Sequence, residues 1–313
     1  MGYIGAKLAE DLLAAGETVV GVDNFFATDR RAIGRLCWHA NFRFIRGSVA
    51  RRETLARAFA AAPVEVVYAL AAQASAHPDA ASARYTETTN LLAPRLLLEE
   101  ALAHGVRTVV YGSSTRVYGD LPPAQAHETA PYGRFADLTH LSKVYVEKLL
   151  EMYAAERGLR AVALRLGLVY GVGPVMKVDY RFMTAPNKFC LQAARGERLV
   201  VNAAGTQPLG LIHVADAARA CLFASRLAGA PAYLAANAAT ETASALAVAR
   251  QVATAAEHYG IAVQVEAPAA SGAEARGQFP SRLREAGFAP ARSLAEGIEE
   301  TLAYFLAEGR ERP

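Results

Sequence analysis

The sequence predicts an α/β protein, a doubly wound parallel sheet with a smaller C-terminal lobe. Three observations carry that expectation. Short β-branched runs alternate with Ala- and Leu-rich stretches at helical spacing, the pattern of parallel strands joined by crossover helices. A glycine pair, Gly2 and Gly5, opens a helical segment, and the strand that follows ends on an acid, Asp23. Past Gly171 the alternation weakens, and Gly173-Pro174, Ala185-Pro186 and Gly205 to Gly210 mark long loops.

In chain order, residues 17–23 read as a first buried strand, 41–45 as a second, 64–70 as a third, 107–111 as a fourth and 161–166 as a fifth. Helical spacing fills the intervals at 7–15, 52–61, 83–104 and 139–157. Gly16, Gly105 and Gly158 follow three of these helices, where a chain leaving a helix turns left-handed. Beyond 171, a helix over 188–195 stands among loops. A helix over 216–227 and a strand at 232–234 lead back to the main sheet, and helices near 243–259 and 294–306 complete the second lobe. The expected division is residues 1–171, with return segments near 211–237, for the larger domain, and 172–210 with 238–313 for the smaller one.

Composition narrows the function. A chain of 313 residues, 53% hydrophobic and 20% charged, holds ample apolar material for a core and is not a disordered chain. Lys+Arg 33 against Asp+Glu 30 leaves a net charge of +3 with no dense basic cluster, so no nucleic-acid partner is expected. Cys37, Cys190 and Cys221 are widely separated and show neither CxxC nor Cys/His ligand spacing. That pattern predicts no metal site, no disulfide framework and a cytoplasmic protein. The most apolar long stretch, 161–176, is broken by Arg165, Gly167, Gly171 and Gly173, so no membrane association is expected.

Gly2 and Gly5 have the spacing of the last two glycines of a Gly-x-x-Gly-x-x-Gly turn, and Asp23 lies 18 residues after Gly5. Glycines let the backbone approach a pyrophosphate at a helix N-terminus, and an acid at that distance can hydrogen-bond an adenosine ribose. The first strand and first glycine of such a unit would precede Met1. The expectation is a sheet missing its first strand, supplied by coding sequence upstream of Met1.

Further motifs follow in order: Ala69-Leu70-Ala71-Ala72-Gln73, Asn90, Gly112-Ser113-Ser114-Thr115-Arg116-Val117-Tyr118-Gly119, Ser142-Lys143 with Glu147, Arg165 to Gly171, and Ile212-His213-Val214-x-Asp216. Together with the glycine turn they resemble the extended short-chain dehydrogenase/reductases, the NAD-dependent epimerase/dehydratase family that acts on nucleotide sugars. The resemblance implies a Rossmann domain holding NAD through Gly2, Tyr3, Ile4, Gly5, Asp23, Asn24, Leu70, Ala71, Ala72, Asn90, Ser113 and Lys143. It implies a nucleotide-diphosphate sugar as substrate, oxidised and re-reduced by tightly bound NAD. Ser114 would bond the reacting oxygen, and Lys143 would hold the nicotinamide ribose. A homodimer is implied through the helices at 83–104 and 139–157.

Three positions depart from the family pattern. Thr139 stands where the family has the tyrosine of Tyr-x-x-x-Lys, whose phenol exchanges a proton with the sugar. Thr139 could at most relay a proton through water, Tyr132 could reach the site only if the intervening segment loops back, and His140 should point off that face. Leu209 replaces an arginine that grips the diphosphate, and Leu168 replaces the asparagine of Asn-Val-Tyr-Gly. The alternative is a non-catalytic dinucleotide-binding or regulatory protein of the same fold.

Overall fold

The computed structural model describes residues 1–28, 33–202, 205, 207–267 and 277–310, so parts of the expected segments 172–210 and 238–313 lie outside the described residues. The first half alternates as its periodicity demands: α1 (Tyr3–Ala14), β1 (Val19–Asp23), β2 (Phe42–Arg46), α2 (Arg52–Ala61) and β3 (Val66–Ala69). The expected helix over 83–104 is α3 (Ala83–Glu87) and α4 (Ala93–Ala103), joined by one wide π turn at Thr88–Leu92. Such turns recur at functional sites, and this one carries Asn90. β4 (Thr108–Ser114), α5 (Leu138–Arg157) and β5 (Arg160–Leu166) follow. α5 ends at Gly158, whose φ of 67° is the left-handed turn expected there.

Among the described residues β1 and β2 form a parallel pair, and a four-stranded parallel sheet runs in the order β3–β4–β5–β9, with β9 at Tyr233–Ala238. Its register sets Ser113 opposite Arg165 and Arg165 opposite Asn237, which lines up three polar side chains at the carboxyl ends of β4, β5 and β9. One sheet face packs Val110, Val162 and Leu164 against Leu8 of α1 and Ala217 and Cys221 of α7 (Val214–Arg226). The other packs Val109, Tyr111 and Ala161 against Leu98 of α4 and Leu150 of α5. Apolar residues on both faces of one strand are what a doubly covered parallel sheet requires.

The remaining elements are β6 (Leu168–Tyr170), α6 (Ala185–Ala194), β7 (Leu199–Val200), β8 (Pro208–His213), β10 (Glu241–Ser244), α8 (Ala245–Glu257), β11 (Val265–Glu266), α9 (Arg282–Glu285) and α10 (Leu294–Arg310). β8 lies between β6 and β10 in a three-stranded sheet, and a second core of Phe189, Leu246, Val252, Ile298 and Phe305 joins α6, α8 and α10. Two expectations change here. Ala185-Pro186 opens α6 instead of marking a loop, because proline in a first helical turn gives up an N–H that has no partner there anyway. β8 is hidden in the sequence by Pro208 and Gly210. Proline is tolerated as a first strand residue, and a Cβ on Gly210 would stand 2.8 Å from that of Ala239.

Candidate active site

The nucleotide end is built at the start of α1. Gly2 precedes the helix in an extended conformation, with no side chain capping the first N–H groups. Above them is open space: a Cβ on Gly5 would meet nothing within 4 Å, and one on Gly2 only Thr28 Oγ1, at 3.9 Å. Unpaired N–H groups, the positive end of a helix and room for a close approach suit a pyrophosphate. Asp23 ends β1 beside them. Its carboxylate accepts from Phe25 N at 2.6 Å and pairs with the Met1 ammonium at 3.0 Å. Asn24 donates to the Tyr85 hydroxyl at 3.1 Å, and Phe26 stacks on the Tyr85 ring with centroids 4.0 Å apart. Open helix start, carboxylate and aromatic wall together fit an adenine dinucleotide. Tyr3 and Ile4 offer it only backbone. The Tyr3 hydroxyl is buried, donating to Gly171 O and accepting from Asn187 Nδ2 at 3.1 Å, and Ile4 packs against the core.

Beyond β3, Leu70 lies over the tip of β4, where a Cβ on Gly112 would come within 3.1 Å of Leu70 Cδ2. Ala71 and Ala72 follow it, and the segment is anchored through Gln73. Asn90 Oδ1 accepts from Gln73 N at 2.8 Å, while Asn90 Nδ2 donates to Gln73 O at 2.8 Å and to Ser142 Oγ at 3.1 Å. The Asn90 side chain thus clamps the 70–73 segment to α5.

Asp137 starts α5 by accepting from His140 N at 3.0 Å, the arrangement that satisfies an otherwise orphaned helix donor. One turn on, Lys143 is buried against β4. Its ammonium donates to Gly112 O at 2.7 Å and sits 4.8 Å from the Tyr111 ring centroid. Burial pushes its pKa down to about 8, with the Glu147 carboxylate opposing. Ser114, half-buried at the end of β4, accepts from Arg116 N at 3.2 Å. Ser113 faces the other way: it is buried, and its hydroxyl donates to Glu147.

Glu147 is the centre of a buried network. It takes Arg165 Nη2 at 2.7 Å and the Tyr132 hydroxyl at 3.1 Å. Arg165 Nη1 reaches the Tyr118 hydroxyl at 2.8 Å, which donates to Asn237 Oδ1 at 2.7 Å. The segment before α5 therefore does bring Tyr132 back to the helix, but onto Glu147, one turn past Lys143. Burial first, then the Glu147 charge, push the Tyr132 phenol up to about 12. Thr139 is buried and its hydroxyl donates to Asp137 Oδ1 at 2.5 Å.

His140, beside Thr139 in the first turn of α5, is tied to the residue that caps the helix. Its Nδ1 lies 2.5 Å from Asp137 Oδ2, in a ring only 18% exposed. The signal in the sequence is an acid at a helix cap with histidine three residues later. Burial lowers the imidazole pKa, Asp137 opposes, and Arg116 and Lys143 lower it further. Of the replaced positions, Leu209 lies on β8 opposite Ala243 and Leu168 begins β6. Among the described residues no His/Cys/Asp/Glu group could hold a metal ion, and no helix is long and apolar enough to cross a membrane.

Known proteins are similar to this chain in sequence and in fold. A UDP-glucose 4-epimerase from Erwinia amylovora is 30% identical over 167 residues, covering 52% of this chain and 50% of that one. One from Lacticaseibacillus casei is 28% identical over 240 residues, covering 71% and 69%. The chain thus spans half the length of the first relative and about two thirds of the second. The Thermus thermophilus UDP-glucose 4-epimerase, solved in complex with NAD, matches with a TM-score of 0.83 at 27% identity, over 100% of this chain and 97% of that one. Residues 1–236 match the model of a single family, and the Rossmann-type sheet, open helix start and buried Lys143 agree with it: the chain belongs to the NAD dependent epimerase/dehydratase family.

Proposed function

We propose that the protein is an NAD-dependent epimerase of a UDP-sugar. The observation that carries this reading is the Lys143 ammonium fixed to Gly112 O at the carboxyl end of β4, beside Ser114. Asp23 and the open start of α1 line the carboxyl edge of the strands, where ligands of such sheets bind. NAD, when bound, accepts and returns the hydrogen of the sugar carbon being inverted. Lys143 then holds the nicotinamide ribose, Ser114 hydrogen-bonds the reacting sugar oxygen, and Asp23 holds the adenosine ribose. A second reading, a protein that binds NAD and sugar nucleotide without turnover, is favoured by Thr139, whose hydroxyl is committed to Asp137.

The experiment is a thermal-shift screen of the NAD-loaded protein against UDP-, dTDP-, GDP- and CDP-sugars, since ligands of the folded state raise its apparent stability. It is paired with interconversion of UDP-glucose and UDP-galactose. Stabilisation by UDP-sugars with interconversion is the expected result. Stabilisation without interconversion selects the second reading, and no stabilisation by any sugar nucleotide overturns both.

The functional unit of this reading is a cytoplasmic homodimer. Leu141, Tyr145 and Met152 are exposed at positions that fall on one stripe of α5, and Leu92 is exposed on the π turn before α4. Pairing α4 and α5 across a two-fold axis would cover them as a four-helix bundle.

A further inference from the structure

The first turn of α5 holds a titratable pair that the proposed roles leave unused. Asp137 receives three donors: His140 N at 3.0 Å, the Thr139 hydroxyl at 2.5 Å and His140 Nδ1 at 2.5 Å. A carboxylate on Nδ1 fixes the imidazole tautomer, with the proton on Nδ1 and the lone pair on Nε2. Among the described residues Nε2 has no hydrogen-bond partner. The charged groups acting on the ring come from every side of the site: Asp137 from its own helix cap, Lys143 from the next turn, and Arg116 from the turn just past Ser114. Burial lowers the pKa of this half-buried imidazole, Asp137 opposes, and Arg116 and Lys143 lower it further, a balance that favours the neutral ring, the form that accepts a proton.

The two hydroxyls that the sequence offers in place of the missing phenol, those of Thr139 and Tyr132, are already spoken for. Thr139 gives its proton to Asp137, and Tyr132 gives its own to Glu147. We infer that His140, oriented by Asp137, is the acid–base residue of this site, serving where the chain lacks a tyrosine four residues before Lys143. The inference rests on the epimerase reading above.

Its chemistry balances. The sugar O–H breaks and its proton passes to His140 Nε2. The C–H bond of the same carbon breaks, its hydrogen leaving with the electron pair to the oxidised nicotinamide, so the carbinol becomes a ketone. On return the ketone carbon regains that hydrogen on the opposite face, and Nε2 gives its proton back to the oxygen. Asp137 stabilises the imidazolium formed in between. The cycle ends with histidine neutral and no net oxidation.

The test uses the NAD-loaded full chain. His140→Asn keeps an amide donor where Nδ1 meets Asp137 but has no titrating Nε2, and His140→Gln is the second variant should the first fold poorly. NAD content and UDP-glucose affinity should stay within about twofold. Turnover should fall roughly 10²–10⁴-fold, the worth of a general acid–base, and the acidic limb of the pH–rate profile should vanish. A readout independent of turnover is nitrogen NMR of the imidazole. His140 should show the Nδ1–H tautomer, Asp137→Asn should lower its titration midpoint, and UDP-galactose should shift its resonances. Wild-type turnover with an unchanged pH profile in His140→Asn overturns the inference while leaving the epimerase reading intact. So do ring resonances that UDP-galactose leaves unmoved. A wild-type protein that binds UDP-sugars without turnover, or binds none, overturns the epimerase reading and this inference with it.

Discussion

Replacing Lys143 by methionine tests the electrostatics of the site through stability alone. Its buried ammonium is held by Gly112 O and the Tyr111 ring, and burial carries its pKa from 10.5 to about 8. In the unfolded chain the side chain titrates near its ordinary value. Below about pH 8 both states hold the proton, and the cost of burying the charge is fully present. Between about 8 and 10.5 the unfolded chain binds a proton that the folded chain has lost, so stability rises with pH across that window. At about 1.4 kcal/mol per pKa unit, the displacement amounts to roughly 3 kcal/mol. Lys143→Met also removes the bond to Gly112 O, but that is an offset independent of pH. Urea unfolding of nucleotide-free wild type and Lys143→Met, in half-unit steps from pH 7 to 11, should give a difference that is flat below about 8. Wild type should then gain roughly 3 kcal/mol on the variant by about pH 10.5. A difference that stays constant over the whole range would refute the assignment of a desolvated ammonium.

Four further outcomes follow from the geometry. Arg165→Met strands the fully buried Glu147 carboxylate and should cost about 3–5 kcal/mol in urea unfolding. Adding Glu147→Leu should recover much of that loss. Asp23→Ala removes the acceptor at the end of β1 and should weaken NAD binding by about tenfold to a hundredfold in calorimetry, the worth of a hydrogen bond to a charged group. Tyr145→Glu puts a charge in the exposed stripe of α5 and should turn a dimer into a monomer by light scattering at micromolar concentration; a monomeric wild type would remove the dimer from the reading. In the His140→Asn background, Thr139→Tyr places a phenol one turn from Lys143 and should restore turnover at least roughly tenfold.

The main sheet is legible in the sequence because its strands are apolar on both faces and its helices are punctuated by glycine, signals local to a few residues. Lys143 is legible for the same reason: Ser142, Lys143 and Glu147 stand at fixed spacing on one helix, four residues past a position that should carry a phenol. The second sheet is not. β6 is three residues long, and Pro208 and Gly210 disguise β8, whose place is set by contacts with Ala239 and Phe279 far along the chain. The position of Tyr132 depends on how residues 119–137 fold back, which no periodicity encodes. The His140–Asp137 pair escapes a reading by helical spacing, because one of its members is the cap that precedes the helix. At a helix start the capping side chain, here Asp137, governs where the neighbouring rings turn.

Glu128 makes a demand on the folding pathway. Its carboxylate accepts from Asn237 N and Arg282 N, across 109 and 154 residues of chain. The amide of Asn237 also reaches back to Ala126 O and across to Pro280 O. The set cannot be completed on a growing chain until residue 282 has left the ribosome. At about 5–20 residues per second, Glu128 waits roughly 8–30 s after its own synthesis. Loops this wide slow folding, and in the interval the polar ends of β4 and β5 lack the strand and the turn that will cover them. The nascent N-terminal half can begin its helices and its first strand pairings, yet it reaches the finished geometry around Arg165 only after nearly the whole chain has been made. Truncation before Pro280 should therefore leave a product that persists as a chaperone substrate.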